Sequence, residues 1–188
     1  MSRPFILIYL MNMLSIITGF FAVNNFKIYG QKNGLTNEEY LAILGSIAAL
    51  CNAIRFLWSF ATDFFSYKLV YGILLVLQIV IDFTVPLVAE NKYLYAIWIS
   101  LMLFCEGAHF VLVPNVLKKI FGERGTQLYG IAFSFNGLAS IIIIFVQQAL
   151  LTTSVHSYDL FFYGNGSCSC ISLVLLLTLF IEDKYVAK

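Results

Sequence analysis

Residues 140–146 (SIIIIFV) and 172–181 (SLVLLLTLFI) decide the fold, because each is an unbroken apolar run. Strands of a membrane barrel alternate apolar and polar residues over about 10 positions, so these runs predict helices instead. A bilayer core of about 30 Å requires about 20 mostly apolar residues per helix. Six stretches of the chain meet this requirement: Pro4 to Phe26, Tyr40 to Thr62, Leu69 to Val88, Tyr93 to Leu117, Gln127 to Leu151 and Leu160 to Ile181.

The loops between these stretches are mostly short, and the sequence contains no linker, low-complexity tract or convincing internal repeat. We therefore predict an all-α membrane protein in which residues 1–188 form a single bundle of six transmembrane helices. The composition agrees, since 61% of the residues are hydrophobic and 11% are charged. A soluble domain carries about 25% charged residues, so a soluble enzyme and a disordered chain are excluded.

The net charge and the cysteine positions exclude further classes. A net charge of +1 offers no basic surface for a nucleic acid. The sequence contains no Gly-rich phosphate loop and no Ser/His/Asp set, so we predict neither an enzyme nor a bound cofactor. Every cysteine lies in an apolar stretch without a partner set at metal-ligand spacing, so neither a disulfide framework nor a metal site is expected: Cys51, Cys105, Cys168 and Cys170.

The positive charges predict the orientation of the bundle. Cytoplasmic loops of membrane proteins carry an excess of Lys and Arg. One side of the chain collects Arg3, Lys68, Lys118, Lys119, Arg124, Lys184 and Lys188, whereas the other has Lys27, Lys32 and Lys92. Both termini are therefore expected in the cytoplasm. The first span also resembles a secretory signal, but its uncharged run is too long and lacks a clear cleavage site, which favours a membrane helix.

Four ionisable side chains lie within the predicted spans: Arg55, Asp82, Glu106 and His109. Insertion of a charged side chain at the bilayer centre costs about 2.5–3.5 kcal/mol, so each of these residues is expected to have a structural or functional role. Asp82 is close enough to Glu90 to reach the outer membrane surface, and we favour that structural interpretation for it. The other three residues are the stronger candidates for a functional site.

The depths of three polar residues agree. At 1.5 Å per residue, Arg55 lies roughly 12 Å, Asn136 roughly 15 Å and Glu106 roughly 18 Å from the inner ends of their helices. These groups from three helices are expected to share a layer near the membrane midplane. Such a layer suits a site that opens alternately to the two faces of the membrane.

Arg55 and Glu106 admit two interpretations. In the functional one, Arg55 attracts an anion, and either Glu106 or His109 carries a proton or balances the charge of Arg55. In the structural one, Arg55 and Glu106 form a buried ion pair that holds the bundle together. An intramembrane enzyme using Glu106 and His109 is disfavoured, because no nucleophile or metal set accompanies them.

Two segments of the chain resemble a known family. Residues 29–68 contain Asn52, Arg55, Trp58 and Asp63 in the order of an Asn-x-x-Arg pair, a Trp-Gly and an inner-loop Asp, with Ser59 in place of the glycine. In this order they resemble the seventh and eighth helices of major facilitator superfamily transporters, and in particular the oxalate/formate antiporter group and its monocarboxylate-transporter relatives.

The second segment, residues 106–137, resembles the tenth and eleventh helices of the same group. It carries Pro114, Phe121-Gly122 and Tyr129-Gly130 where the pattern of that group has them. The resemblance spans residues 26–145. It implies the fold of a C-terminal six-helix half and a function in secondary transport of small organic anions by alternating access.

The resemblance also implies roles for individual residues. The matching Arg binds a carboxylate, and Asp63 and Lys68 match an inner-loop motif that latches one conformation. Oxalate antiporters have a Lys where this chain has Asn136, and monocarboxylate transporters have an Asp where it has Cys51. The missing Lys favours a monocarboxylate or an altered specificity. The predicted site residues are Arg55, Asn52 and Asn136 for substrate, Glu106 and His109 for proton coupling or charge balance, and Asp63 and Lys68 for the latch.

Transporters of this superfamily have twelve helices in two halves, and this sequence matches the C-terminal six. We expect a truncated or half-size transporter that lacks the N-terminal half. Two copies could also combine as a homodimer, because the two halves are related by an axis along the membrane normal. The alternative is an inactive half-bundle that acts as a structural or regulatory partner of a full-length transporter. The expected partners are the lipid bilayer and a small carboxylate, with no nucleic acid.

Overall fold

The computed structural model describes residues 2–150 and 155–181. Within these ranges every regular element is an α-helix. The helices are α1 (Arg3–Lys32), α2 (Glu38–Ala53), α3 (Phe56–Phe64), α4 (Tyr67–Val88), α5 (Lys92–Phe121), α6 (Glu123–Ala132), α7 (Ser134–Leu150) and α8 (Val155–Thr178).

These eight helices make six membrane-length segments, because α2 continues into α3 and α6 continues into α7. Each segment is long and apolar enough to cross a bilayer: Arg3–Lys32, Glu38–Phe64, Tyr67–Val88, Lys92–Phe121, Glu123–Gln148 and His156–Thr178. The prediction of an all-α membrane protein with six spans is confirmed. The first helix continues through Lys32, beyond the predicted span, because Tyr29 and Gly30 pack against Tyr95 at the end of the bundle.

Short polar residues start the helices that follow the connecting loops. The side-chain oxygens of Asn37, Ser66 and Asn91 accept hydrogen bonds from backbone N–H groups in the first turns of α2, α4 and α5. These bonds satisfy donors that a helix leaves free at its N-terminus. Between α5 and α6 the chain turns at Gly122, whose φ of 58° favours glycine. α4 packs against α5, and α5 packs against α6, across the turns that join them.

The second span is interrupted at Ile54 and Arg55. The backbone N–H of Arg55 donates to the carbonyl of Asn52 at 3.1 Å, and that of Trp58 donates to the carbonyl of Arg55 at 3.0 Å. These bonds join residues three apart and so form a tighter turn than an α-helix. The fifth span is interrupted in the same way at Phe133, whose carbonyl accepts from the N–H of Asn136. Both breaks occur without a proline or glycine.

The helices differ in how deeply they lie in the bundle. α1 and α5 are the most buried, and both pack against several other helices. The second and fifth spans are the least buried and carry large exposed apolar side chains, such as Leu50 and Phe145, each 68% exposed. The two interrupted spans lie on the outside of the bundle. α2 and α3 pack against α5, whereas α6 packs against α5 and α7 against α1.

Candidate functional site

Arg55 lies at the break between α2 and α3 and is half-buried. Its guanidinium carbon is 5.6 Å from the centroid of the Phe110 ring on α5, which is a cation–π contact. In the part of the chain that the structure describes, the guanidinium forms no hydrogen bond and no ion pair. The charge therefore keeps all five of its N–H donors for another group.

Gly107 allows α5 to approach this break closely. A Cβ atom at Gly107 would lie 2.8 Å from the Cβ of Arg55 and 3.0 Å from the carbonyl oxygen of Asn52. Real Cβ atoms do not approach a neighbour as closely as 2.8 Å. Only a glycine fits at this position without displacing Arg55.

Asn52 joins α2 to Glu106 on α5. Its side-chain nitrogen donates to the Glu106 carboxylate at 3.0 Å and to the carbonyl of Leu103 at 2.9 Å. Glu106 is buried, and α1 closes over it at Gly19, where a Cβ atom would lie 2.4 Å from the Cβ of Glu106. The carboxylate is thus held in place by an amide and by the close crossing of two helices.

Arg55 and Glu106, both described, are not joined by a direct ion pair. Arg55 interacts with the Glu106 carboxylate only by longer-range electrostatic attraction. The direct hydrogen bond to this carboxylate comes from Asn52. The buried ion pair that the structural interpretation expects is therefore not formed. The two groups lie close enough to interact electrostatically, but each keeps a separate set of contacts.

An aromatic cluster extends from the Phe110 ring that contacts the guanidinium, and we define it as Phe20, Phe110, Tyr129 and Phe133. The Phe110 ring centroid lies 6.4 Å from that of Phe20 and 5.9 Å from that of Phe133, and the Phe133 and Tyr129 centroids are 5.6 Å apart. The charge of Arg55 also interacts electrostatically with the Tyr129 hydroxyl, without a hydrogen bond between the two described side chains. The cluster connects the break in the second span with the break in the fifth.

Asn136 lies on α7, one turn beyond the Phe133 break, and is 7% exposed. Both polar atoms of its side chain are buried without a hydrogen bond within residues 2–150 and 155–181. The structure records no direct contact between Asn136 and Arg55. The Asn136 backbone donates to the carbonyl of Phe133, and the Phe133 ring packs near the Phe110 ring that contacts Arg55.

His109 has different surroundings from Glu106, although the two are three residues apart on α5. His109 is fully buried, and its Nδ1 is 3.0 Å from the side-chain oxygen of Asn12 on α1. Asn12 uses its nitrogen to donate to the carbonyl of Ile8, so the histidine Nδ1 carries the proton in this bond. The ring packs edge-on against Tyr71 of α4. His109 thus faces α1 and α4, whereas Glu106 faces α1 and α2.

The two predicted latch residues lie at the end of the bundle where α3 is followed by α4. Asp63, near the end of α3, is exposed and borders a cavity of about 290 Å³ that Asn115 also lines. Lys68 donates to the carbonyls of Leu177 and Phe180 at 3.1 and 3.0 Å. A cation at these carbonyls complements the negative end of the helix dipole of α8. The structure therefore joins Lys68 to the end of α8.

The expectation that Asp82 reaches the outer surface is wrong. Its side chain is 0% exposed and accepts a hydrogen bond from Thr18 of α1 at 3.0 Å. α8 covers it from another side at Gly166, where a Cβ atom would lie 3.2 Å from the Cβ of Asp82. The position of Asp82 along α4 did not determine its burial, because the face of α4 that carries Asp82 turns inward.

Sequence reasoning did not identify Gly107, Phe110 or Phe133 as part of this site. Phenylalanines are frequent in the chain, and most read equally well as lipid-facing residues. The available signal was the glycine directly after Glu106 in an apolar span, since small residues let membrane helices approach closely. The partner helix in that approach could not be read from the sequence.

Comparison with known proteins adds one distant relative. No family model matches the chain. A segment of 122 residues, 63% of this chain, is 28% identical to apicoplast pyruvate carrier 1 of Toxoplasma gondii. The match covers 22% of the length of that carrier. Six apolar helices and similarity to a carrier together indicate an integral membrane protein related to transport proteins.

Proposed function

We propose that this chain forms six helices of a secondary transporter of the major facilitator type, which moves a small monocarboxylate by alternating access. The observation that carries the proposal is the guanidinium of Arg55, half-buried at a helix break with its N–H donors free of described partners. The similarity to a pyruvate carrier supports a substrate of the size and charge of pyruvate. Transport of the monocarboxylate across the membrane is itself part of the proposal, because the matched segment is 22% of the length of the pyruvate carrier.

The chemistry around Arg55 suits a single carboxylate with a short apolar tail. A guanidinium presents a planar fork of donors that matches both oxygens of a carboxylate. The aromatic cluster beside it offers ring faces and edges to the remainder of the substrate. Asn136, in place of a second cation, supplies hydrogen-bonding groups without charge. A dicarboxylate would bring one negative charge without a matching positive one.

Glu106 is proposed to balance Arg55 when the substrate is absent. Its carboxylate lies close enough to be stabilised by Arg55 but is bound directly by Asn52. A bound substrate carboxylate would place a second negative charge near Glu106, which favours uptake of a proton there. Substrate binding and protonation of Glu106 would then occur together, while His109, bonded to Asn12, would hold α1 against α5.

The direct test is Arg55→Gln, measured by uptake of radiolabelled pyruvate into proteoliposomes that contain the chain. Uptake and substrate-induced thermal stabilisation should fall to background, because glutamine removes the charge but keeps a polar side chain. Arg124→Gln is the matched control, since Arg124 is an exposed arginine at the start of α6. Equal loss in both variants, or unchanged uptake by Arg55→Gln, would contradict the proposal.

The second candidate function is a half-bundle that assembles with a larger transporter without transporting alone. The low burial of the second and fifth spans favours it, because a partner could cover their apolar faces. This candidate predicts that the purified chain shows no uptake but co-purifies with a larger membrane protein. Uptake by the chain in a defined lipid mixture, with no other protein present, would contradict it.

A further inference from the structure

A second polar cluster lies between α1, α4 and α8, away from Arg55. Its centre is Asp82 on α4, whose side chain is fully buried. One oxygen of the carboxylate accepts from Thr18 at 3.0 Å, and the other oxygen, Oδ1, is buried without a hydrogen bond in the described part of the chain. A buried carboxylate with one oxygen unsatisfied is strongly unfavourable unless something neutralises it.

Other buried polar atoms near Asp82 also lack hydrogen bonds. One turn earlier on α4, Gln78 donates its nitrogen to the carbonyl of Ser15, which leaves its Oε1 unsatisfied. On α8, the Asn165 nitrogen and the Ser169 hydroxyl are buried and unsatisfied within residues 2–150 and 155–181. Each of these side chains is at most 4% exposed. Native interiors leave few such atoms, so a group of them needs an explanation.

The packing brings these atoms toward one place. Gly166, which lies between Asn165 and Ser169 on α8, packs directly against the Cβ of Asp82. Ser172, one turn beyond Ser169, donates to the carbonyl of Met11, so this face of α8 is turned toward α1. Three helices therefore converge on Asp82 with oxygen-bearing side chains on the faces that meet.

The described residues around Asp82 supply no positive charge. Neither oxygen of its carboxylate pairs with a Lys, Arg or His of residues 2–150 or 155–181. The titratable groups that face it are thiols, Cys105 from α5 and Cys168 from α8, while α1 presents the hydroxyl of Thr18. The cluster thus combines one carboxylate with neutral oxygen ligands in a dry environment.

We propose that Asp82 is the centre of a site for a small monovalent cation, H⁺ or Na⁺, which is separate from the Arg55 site. Oδ1 of Asp82, Oε1 of Gln78 and the hydroxyl of Ser169 are its oxygen ligands. A proton on Oδ1 satisfies the carboxylate and can be donated to Gln78, whereas Na⁺ is bound by all three oxygens. In both cases a positive charge compensates the carboxylate inside the membrane. The inference does not depend on Arg55 or on any transported substrate.

The test measures thermal unfolding of the full chain in detergent as Na⁺ replaces choline at constant ionic strength, and separately as the pH falls from 8 to 5 in choline. A cation that binds only the folded state raises Tm, by about 5–10 °C at a concentration 100 times its Kd. We expect wild type to show this rise in one of the two series, which identifies Na⁺ or H⁺. Asp82→Asn, which is neutral without a cation, should show no such rise.

A second variant guards against a folding defect in the first. Ser169→Ala removes a hydroxyl that makes no described hydrogen bond, so a purely structural role predicts unchanged or higher stability with an unchanged ion response. As a ligand, its loss should raise the Na⁺ or proton midpoint about fivefold, the equivalent of about one hydrogen bond.

A third variant separates this inference from the proposed transport function. Arg55→Gln should keep the ion response even if it abolishes uptake, because Arg55 and Asp82 lie on different helices and share no contact in the described structure. If wild type shows neither response, or if Asp82→Asn responds as wild type does, the cation site is refuted whatever the uptake assays show.

Discussion

At the scale of single residues, two buried carboxylates of the bundle, Glu106 and Asp82, have different surroundings. Glu106 is bound by a neutral amide and acted on by Arg55 at a distance. Asp82 has a single hydroxyl donor and no charged partner among the described residues. A carboxylate that keeps an opposite charge nearby can respond to a substrate anion, whereas one without it is suited to hold a cation.

Asn52 is the residue that fixes Glu106, and this predicts a stability effect. Asn52→Leu leaves the Glu106 carboxylate and the Leu103 carbonyl without their donor, and the loss of buried hydrogen-bond donors costs about 1–3 kcal/mol. For a chain of this length, thermal unfolding should show Tm lower by about 2–4 °C for each kcal/mol. Asn24→Leu is the matched control, because exposed Asn24 donates only to the carbonyl of Phe20 on its own helix.

If Asn52→Leu and Asn24→Leu change Tm equally, the Asn52–Glu106 bond contributes nothing specific. A second measurement then separates stability from function. Asn52→Leu frees Glu106 to approach Arg55, so we also expect weaker stabilisation by pyruvate in the variant. Normal stabilisation by pyruvate, at any Tm, would argue against competition between Glu106 and substrate for Arg55.

At the scale of helices, a close crossing acts together with polar contacts to set the register of α1 on α5. Gly19 and Glu106 meet so closely that a methyl group on Gly19 would lie 2.4 Å from two carbons of Glu106. Neither backbone can yield without moving the whole helix. The crossing fixes how deeply Glu106 sits and therefore how close Arg55 comes to it.

Gly19→Ala is accordingly expected to destabilise the bundle by about 1–3 kcal/mol, as overpacking does in other cores. Gly137→Ala is the matched control, since a Cβ atom at Gly137 would meet nothing within 4 Å. Alanine is the better helix former, so the control should be neutral or stabilising by up to about 1 kcal/mol. Thermal unfolding of both variants checks this, and equal Tm values would show that the α1–α5 crossing is loose.

The six helices could be predicted from the sequence because long apolar runs are local signals. The fixed rise of a helix also allows a prediction of how far Arg55, Glu106 and Asn136 lie from the ends of their helices. The break at Arg55 could not be predicted in this way, because no proline or glycine marks it. The burial of Asp82 could not be predicted either, since it depends on which face of α4 meets α1 and α8. Contacts between helices depend on which faces pack together, and the sequence of one helix does not reveal its partner helix.

At the scale of the whole molecule, the least-buried spans are the two that carry the helix breaks. If Arg55 binds a transported anion, as we propose, its site must be reached from water, and the surface beside it then needs a cover other than lipid. The part of the carrier from Toxoplasma gondii that matches this chain is 22% of that protein's length. We propose a second copy of this chain as the partner that covers this surface.

If two copies share one transport path, the uptake rate per chain depends on how many chains each vesicle holds. We expect uptake to vanish when proteoliposomes are prepared with fewer than one chain per vesicle on average, because single bundles lack the second wall of the path. An even number of spans places Arg3 and Thr178 on the same side of the membrane, so two copies can be joined head to tail by a flexible linker. The joined pair should keep its uptake rate per chain at the same dilution. A constant rate per chain for the unjoined protein would show instead that one six-helix bundle transports by itself, and the exposed faces of α2–α3 and α6–α7 would then be assigned to lipid.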